Sequence, residues 1–324
     1  MTSPAPKVKL LRCPPGLKLG AGIVVFFSLI GESELAGQQN ICQLTANDVL
    51  ASCQSGAQSD YQLALANCDN VSNQAARSSC KQTAMTDLKD AQQTCKDQSN
   101  VRSAACQRFG PARYDPTINP ANFVNVVNNQ YFPLPPGTTY VYEGHTTAGL
   151  EHSEFAVTHR TRVIQGVTCI EVHDSVKTNG VLTEDTLDWF AQDTEGNVWY
   201  FGENTHELEN GLITTIDGTF MAGINSAKAG IIMKAHPMVG DFYRQEFSLD
   251  NAEDYAETVS LNESVTVGNP PHTYTHCLKS KETTPLETDL LEYKFFAPGV
   301  GNVLTLDGHT GERIELIQIT TNSE

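Results

Sequence analysis

The pattern of apolar and polar positions divides the chain into two regions. Between residues 41 and 109 the apolar residues are mostly helix-forming types such as Leu50, Leu63 and Leu88, and a turn-rich DNVSN segment lies midway at residues 69–73. From residue 131 onward, apolar and polar residues alternate with a period of two, as they do in half-buried strands. The pattern predicts a helical hairpin over 41–109, a linker over 110–130 and an antiparallel β domain over 131–322.

Tight turns separate the predicted strands. Asn179-Gly180, Asn210-Gly211 and Asp307-Gly308 are dipeptides that accept positive φ in short hairpins. Short strands joined by such turns indicate a meander, curled into a barrel, a half-barrel or a sandwich because an open sheet leaves edges exposed. The expected fold class is α+β. The segments that we predict as strands are TTYVYEG, EFAVTHRTRVI, VTCIEVHD, LTEDTLDWFAQD, NVWYFGE, DFYRQEFSL, LEYKFFA, NVLTLD and ERIELIQIT.

Six cysteines in the predicted hairpin are spaced symmetrically. The gaps between them are 11, 15, 12, 15 and 11 residues, which mirror each other about residue 74. Two antiparallel helices joined by concentric disulfides would give this symmetry, and each trio of cysteines would lie near one helix face. A zinc site does not fit, since there is no C-x2-C and no histidine in this region. The predicted bridges are Cys42–Cys106, Cys53–Cys95 and Cys68–Cys80.

Two further cysteines, Cys169 and Cys277, lie in strand-like contexts in the β domain. An even number of cysteines in an exported chain favours complete pairing, so we expect a fourth bridge between them.

The N-terminal segment has the features of a secretory signal. A basic stretch with Lys7, Lys9 and Arg12 precedes an apolar run at residues 21–30, which is too short to span a membrane. We therefore predict a signal peptide over residues 1–36, which contains Cys13, and a secreted or periplasmic protein without a stable membrane span after its removal. An uncleaved anchor is the alternative.

The charge of the chain excludes some partners. It has 21 basic and 38 acidic residues, a formal net charge of −17 and a pI of about 4.9. Such a surface repels nucleic acids and anionic lipids. There is no phosphate-binding loop, dinucleotide fingerprint or G-x-S-x-G motif, so we expect no cofactor. We also expect no metal, although His272 and His276 share a strand face.

Four carboxylates are the candidate catalytic residues. Strand alternation places Glu184 with Asp188 on one face, and further strands contribute Glu246 and Glu292. Two carboxylates across a cleft can act as acid and base in glycoside hydrolysis, with a nearby basic group tuning their pKa. The alternative is a solvated sheet face with cross-strand charge pairs.

The candidate ligand-binding residues are aromatic and basic. Trp199 and Phe201 could stack on a sugar ring or enclose a lipid, while Arg244 and Lys294 could bind polar groups. In the alternative interpretation, Trp189 and Trp199 are paired core residues of one hairpin.

Several segments resemble a recurring set of exported bacterial β-rich proteins. The segments are YFPLPPGTTYVYEG, EDTLDWFAQDTEGNVWYFGE, PMVGDFYRQEF and YKFFAPGVGNV, and the resemblance covers roughly residues 113–305 without the hairpin. It implies export and a β fold but no reaction. More loosely, the meander is similar to periplasmic half-barrels that hold apolar ligands.

Three functional hypotheses follow. The first is an exported binding or surface protein whose β domain holds an apolar or glycan ligand and whose hairpin is a docking or spacer module for a protein partner. The second is a carbohydrate-active hydrolase that uses the paired carboxylates. The third is a structural subunit of an extracellular assembly.

Overall fold

The computed structural model describes residues 40–321. The predicted signal peptide and Cys13 lie outside the described residues.

The first part of the fold is the predicted helical hairpin. Helix α1 covers Ile41–Asp69 and helix α2 covers Gln74–Phe109. Each helix begins after an asparagine N-cap, since the Asn40 side chain accepts a hydrogen bond from the Gln43 backbone N–H and Asn73 accepts one from that of Ala76. Within the described residues, no helix is long and apolar enough to cross a membrane.

All three predicted hairpin disulfides are present. Cys42 is bonded to Cys106, Cys53 to Cys95 and Cys68 to Cys80. The side chains buried in the two helices are mostly small ones, such as Ala46, Ala57 and Ala84, so the hairpin has little core of its own and the bridges hold it together. Three disulfides indicate that the protein resides in an oxidising environment.

Removal of the central bridge should weaken the hairpin. We expect the double variant Cys53→Ala/Cys95→Ala to lose about 2–4 kcal/mol of stability, because the bridge closes a long loop in the unfolded chain. Urea unfolding followed by far-ultraviolet circular dichroism measures this loss. An unchanged unfolding midpoint would show that helix packing alone holds the hairpin.

The second part of the fold is one antiparallel sheet of sixteen strands. In chain order the strands are β1 (Phe123–Val124), β2 (Thr138–Thr146), β3 (Gly149–Ile164), β4 (Val167–Thr178), β5 (Val181–Asp193), β6 (Val198–Glu209), β7 (Leu212–Thr215), β8 (Phe220–Met221), β9 (Lys228–Met233), β10 (Phe242–Arg244), β11 (Glu246–Phe247), β12 (Tyr255–Val267), β13 (His272–Thr283), β14 (Glu292–Ala297), β15 (Gly301–Asp307) and β16 (Arg313–Thr321).

The sheet curls into a nearly closed, barrel-like form. Its strands follow the order β10-β12-β13-β14-β15-β16-β2-β3-β4-β5-β6-β9-β11. The two terminal strands of this order, β10 and β11, are separated by only Gln245 in the chain. Residues 242–247 therefore pair with β12 on one side and β9 on the other, and they bring the two ends of the sheet together. This closure leaves the sheet with an inner and an outer face.

Apolar residues pack on both faces. The larger cluster contains inward-facing residues such as Phe190, Tyr200 and Phe296. A smaller cluster on the outer face surrounds Trp189 and Phe201, and it is covered by Ile118 and Phe123 from the segment predicted as a linker. That segment also forms β1, which pairs with the end of β5. Residues 110–130 thus contribute packing as well as a connection.

The expected fourth disulfide is wrong. Cys169 and Cys277 are buried free thiols, on strands β4 and β13 respectively. Five strands separate β4 from β13 in the sheet, and the two side chains belong to different apolar clusters. Burial raises the pKa of Cys169 to about 12 and also raises that of Cys277. The fourth bridge was predicted from the even number of cysteines, but that number does not determine whether the last two lie close enough to bond.

These thiols should be unreactive until the protein unfolds. In protein that begins after residue 36, we expect a thiol reagent at pH 8 to label no cysteine in the native state and two in denaturant, because a buried neutral thiol is a poor nucleophile. Electrospray mass spectrometry counts the labels. No label in denaturant would mean that a fourth bridge exists after all.

The hairpin is attached to the sheet through the end that holds residues 41 and 109. Arg102 of α2 binds Glu253 with an Nη2–Oε1 distance of 2.7 Å, and both side chains are buried. Nearby, Phe109 stacks on Phe242 with ring centroids 4.6 Å apart. The hairpin and the sheet therefore share a buried, polar and aromatic contact.

Candidate functional site

The inner face of the barrel-like sheet encloses a cavity of about 550 Å³, which we call the chamber. Alternation along the strands supplies its walls. On β5, the inward residues are Glu184, Thr186, Asp188 and Phe190, while the residues between them face outward. Inward residues of β2–β4, β6, β9, β11 and β13–β16 complete the walls.

One end of the chamber is lined by aromatic rings, which we call the aromatic floor: Phe132, Tyr140, Phe155, Phe190 and Phe296. Phe132 lies at its centre. Its ring centroid is 5.3 Å from that of Phe190, 6.3 Å from that of Phe155 and 6.4 Å from that of Phe296. A side chain from the segment before β2 thus closes the space between three strands.

A hydrogen-bonded group of acids lies next to the floor. Phe190 stacks on Tyr200 at 4.6 Å, and the Tyr200 hydroxyl donates to Asp188 Oδ1 at 2.5 Å. The same hydroxyl lies 3.2 Å from Glu203 Oε2, which also accepts from the Thr205 hydroxyl at 3.0 Å. Asp188 and Glu203 are directly paired across β5 and β6. We call these two residues the carboxylate pair.

Beyond the carboxylate pair the chamber becomes more acidic. The strand register places Glu292 opposite Asp307 and Glu282 opposite Glu292. Lys294 Nζ lies 2.8 Å from Glu282 Oε2 and 3.6 Å from Glu292 Oε2. Lys294 is the one basic side chain among the described residues that line the chamber.

Burial shifts the titration of these acids toward neutral pH. It raises the pKa of Glu203 to about 7, against the hydrogen bonds from Thr205 and Tyr200, which lower it. Burial raises the pKa of Asp254 to about 6, while Lys294 lowers it. Burial also raises the pKa values of Asp188 and Glu246, and neighbouring carboxylates raise them further. Glu203 and Asp254 therefore exchange protons in the range where a ligand or substrate can use them.

The structure brings five of the predicted site residues together. Glu184, Asp188, Glu246 and Glu292, the four candidate catalytic acids, all line the chamber. Lys294, a candidate binding residue, lies among them. Their participation in binding or catalysis stays a prediction.

The other three candidates lie elsewhere. Trp199 and Phe201 belong to the outer cluster with Trp189, and the Trp199 indole donates to Asp193 Oδ2 at 2.8 Å. They therefore pack as core residues, in agreement with the alternative interpretation. Arg244 is buried between the hairpin and the sheet. Its guanidinium lies 4.3 Å from the Phe109 ring centroid and 4.9 Å from that of Phe247.

Seven of the chamber acids are not among the candidates from the sequence, and Asp174 and Glu203 illustrate the reasons. Asp174 shares one face of β4 with Val172 and Val176. A single acid between two valines does not indicate a charged site in the sequence. Glu203 follows a register shift between β5 and β6, and simple alternation fails there. Gly202 permits the irregularity: its φ is +155°, and a Cβ atom would lie 2.5 Å from the Phe220 carbonyl oxygen.

The candidate metal ligands do not form a site. Within the described residues, no group of three or more histidine, cysteine, aspartate or glutamate side chains is arranged to hold a metal ion. His276 Nδ1 lies 2.8 Å from Asn262 Oδ1, and His272 packs on the Tyr274 ring.

No protein-family model, no curated protein and no solved structure matches the chain. The function of this protein must therefore be inferred from the geometry of the chamber.

Proposed function

We propose that the protein is an exported binding protein whose chamber holds a small hydroxyl-bearing ligand, such as one or two units of a glycan. The observation that carries this proposal is the contact between an aromatic floor and a group of inward-facing carboxylates. Carboxylates accept hydrogen bonds from sugar hydroxyls, and aromatic rings pack against the C–H faces of sugar rings. The chamber volume is typical of small-molecule sites.

A purely apolar ligand fits the chamber less well. It would cover the carboxyl groups of Asp188, Glu203 and Asp254 without offering them a further hydrogen bond. Burial of a polar group without a partner costs about 1–3 kcal/mol, and more for a charged one. Of the two ligand classes that the sequence suggested, the structure therefore favours the glycan.

The hairpin suits the role of a spacer or docking module. Its contacts with the sheet come from the end that holds Gln98, Arg102, Arg108 and Phe109. The three disulfides hold the rest of the hairpin in shape. We propose that this part separates the chamber from, or attaches it to, another exported component.

A test of the binding proposal is calorimetric titration with a panel of mono- and disaccharides. We expect at least one sugar to bind, and the variant Ser153→Tyr to abolish this binding because Ser153 faces the chamber. The matched control is Ser175→Tyr, which changes a half-buried serine on the neighbouring strand whose inward neighbours are Asp174 and Val176. Equal affinity in both variants would place the site elsewhere.

A hydrolase is the second candidate, and the carboxylate pair favours it. Asp188 and Glu203 are close enough to contact the same Tyr200 hydroxyl. Two carboxyl groups this close favour a state in which one holds a proton while the other is ionised. A pKa of about 7 for Glu203 suits a general acid at neutral pH. If the protein is an enzyme, Asp188→Asn should abolish glycan turnover while the fold stays intact. A protein that binds a glycan without any turnover would rule this candidate out.

A further inference from the structure

We infer that the chamber selects ligands that carry a primary ammonium group, such as an amino sugar or an aliphatic diamine. This inference rests on the proposed function, because it names the ligand chemistry of the same chamber. It follows from three features of the described residues: the charge of the walls, an acid without a partner, and acids that do not converge in metal-binding geometry.

The walls are far more acidic than a neutral sugar requires. Against the single basic side chain of Lys294, they carry eleven carboxylates: Glu151, Asp174, Glu184, Asp188, Glu203, Glu246, Asp254, Glu282, Glu292, Asp307 and Glu312.

Only some of these carboxylates have a basic partner. Lys294 forms its ion pairs with Glu282 and Glu292, on β13 and β14. The acids contributed by β4, β5 and β6 form no ion pair with any basic residue in the described part of the chain; they are Asp174, Glu184, Asp188 and Glu203. A cation bound beside these strands would supply the missing counter-charge.

Asp174 is an independent sign of a missing donor. Its Oδ1 atom is inaccessible to solvent and accepts no hydrogen bond from the described residues. Asp174 is paired with Thr186 on β5, one position along the wall from the carboxylate pair. Buried carboxylate oxygens in native proteins nearly always have a partner. Asp174 lines the chamber, so rotation of its carboxylate would bring this oxygen to an ammonium group bound there, whose three donors would also serve a second acid.

An organic cation fits these walls better than a metal ion. The acids are spread over the walls, and no three of the described ones converge in metal-binding geometry. The aromatic floor gives a further reason, since rings such as those of Phe155 and Phe296 line the chamber, and aromatic rings attract an ammonium group and pack against carbon atoms. Lys294 already shows how one ammonium group is held between acids of this chamber.

The test is a calorimetric comparison of charged and neutral probes at pH 7, where most glucosamine carries its ammonium group. Glucosamine is paired with N-acetylglucosamine and glucose, and putrescine is paired with butanediol. We expect glucosamine to bind at least about tenfold more tightly than its neutral counterparts, as one charged hydrogen bond in a buried site allows. Binding of putrescine as well would show that the ammonium group suffices, and binding of glucosamine alone would identify an amino sugar.

Two other outcomes are distinguishable. Equal binding of glucosamine, N-acetylglucosamine and glucose would overturn the inference and leave the glycan-binding proposal intact. Failure of all five probes to bind would overturn the inference, and failure of the saccharide panel besides would overturn the proposed function too.

Variants of the walls provide the second measurement. We expect Asp188→Asn and Glu203→Gln to reduce the preference for glucosamine over N-acetylglucosamine at least about fivefold, because each replaces a carboxyl group beside the aromatic floor with an amide that cannot become negatively charged. Glu209→Gln is the matched control, since Glu209 is exposed on the same strand as Glu203. Circular dichroism verifies that each variant folds. An unchanged preference in folded Asp188→Asn and Glu203→Gln would contradict the inference.

Discussion

Replacement of Arg102 by alanine should lower the free energy of unfolding by about 3–5 kcal/mol, because it leaves Glu253 buried without its cation. The two side chains are 4% and 1% exposed. The guanidinium binds both carboxylate oxygens, with its Nε atom 3.1 Å from Oε1 and 3.2 Å from Oε2. Guanidinium chloride unfolding at pH 7 measures the loss.

The neighbouring ion pair provides a matched control for this prediction. Arg108 and Glu257 also join α2 to the sheet, but their side chains are 39% and 26% exposed. Solvent screens such a pair, so loss of the ion pair in Arg108→Ala should lower the free energy of unfolding by less than about 1 kcal/mol. Loss of the contact between the Arg108 guanidinium and the Phe242 ring adds to this effect. Equal losses for Arg102→Ala and Arg108→Ala would show that burial of the first pair does not determine its contribution.

Replacement of Glu203 by glutamine should stabilise the protein at pH 8 by on the order of 2 kcal/mol. Burial raises the pKa of Glu203 from 4.5 to about 7. Above pH 7 the glutamate is ionised in the folded and unfolded states, and the folded state bears the cost of a buried charge. Below about pH 4.5 it is protonated in both states. The advantage of glutamine should therefore appear between pH 4.5 and 7 and be complete at pH 8.

Thermal and urea unfolding at several pH values tests this dependence. Glu209→Gln, on the exposed part of the same strand, should change stability little at any of these pH values. A glutamine variant at position 203 that is no more stable than the wild type at pH 8 would mean that the carboxylate is well solvated or neutralised. The result bears directly on function, because an acid that destabilises the empty chamber is available to bind a ligand donor.

The hairpin could be predicted in detail because the spacing of its cysteines determines how they pair. The gaps between Cys42 and Cys106 are symmetric, and only one pairing pattern suits two antiparallel helices. The β domain could be predicted only as a curled antiparallel meander. Its closure depends on residues 242–247, whose pairing with strands on both sides has no signature in local sequence.

Part of the chamber could be predicted from the alternation of side chains along each strand. Alternation placed Glu184 and Asp188 on one face, and they do share the chamber wall with Lys294. Alternation gives two faces for each strand but does not say which one is inside, so the sequence does not show that Trp199 and Phe201 pack on the outer face instead of against a ligand. Irregularities of register, such as the one that positions Glu203, require the folded structure.

Native mass spectrometry of the protein purified from the exported fraction of its own host tests the central claim most directly. The claim is that the chamber holds a small polar ligand. We expect the wild type to carry an additional small mass that is lost on denaturation and is absent from Ser153→Tyr but present in Ser175→Tyr. An additional mass that persists equally in Ser153→Tyr would contradict the claim, because the ligand would then lie outside the chamber.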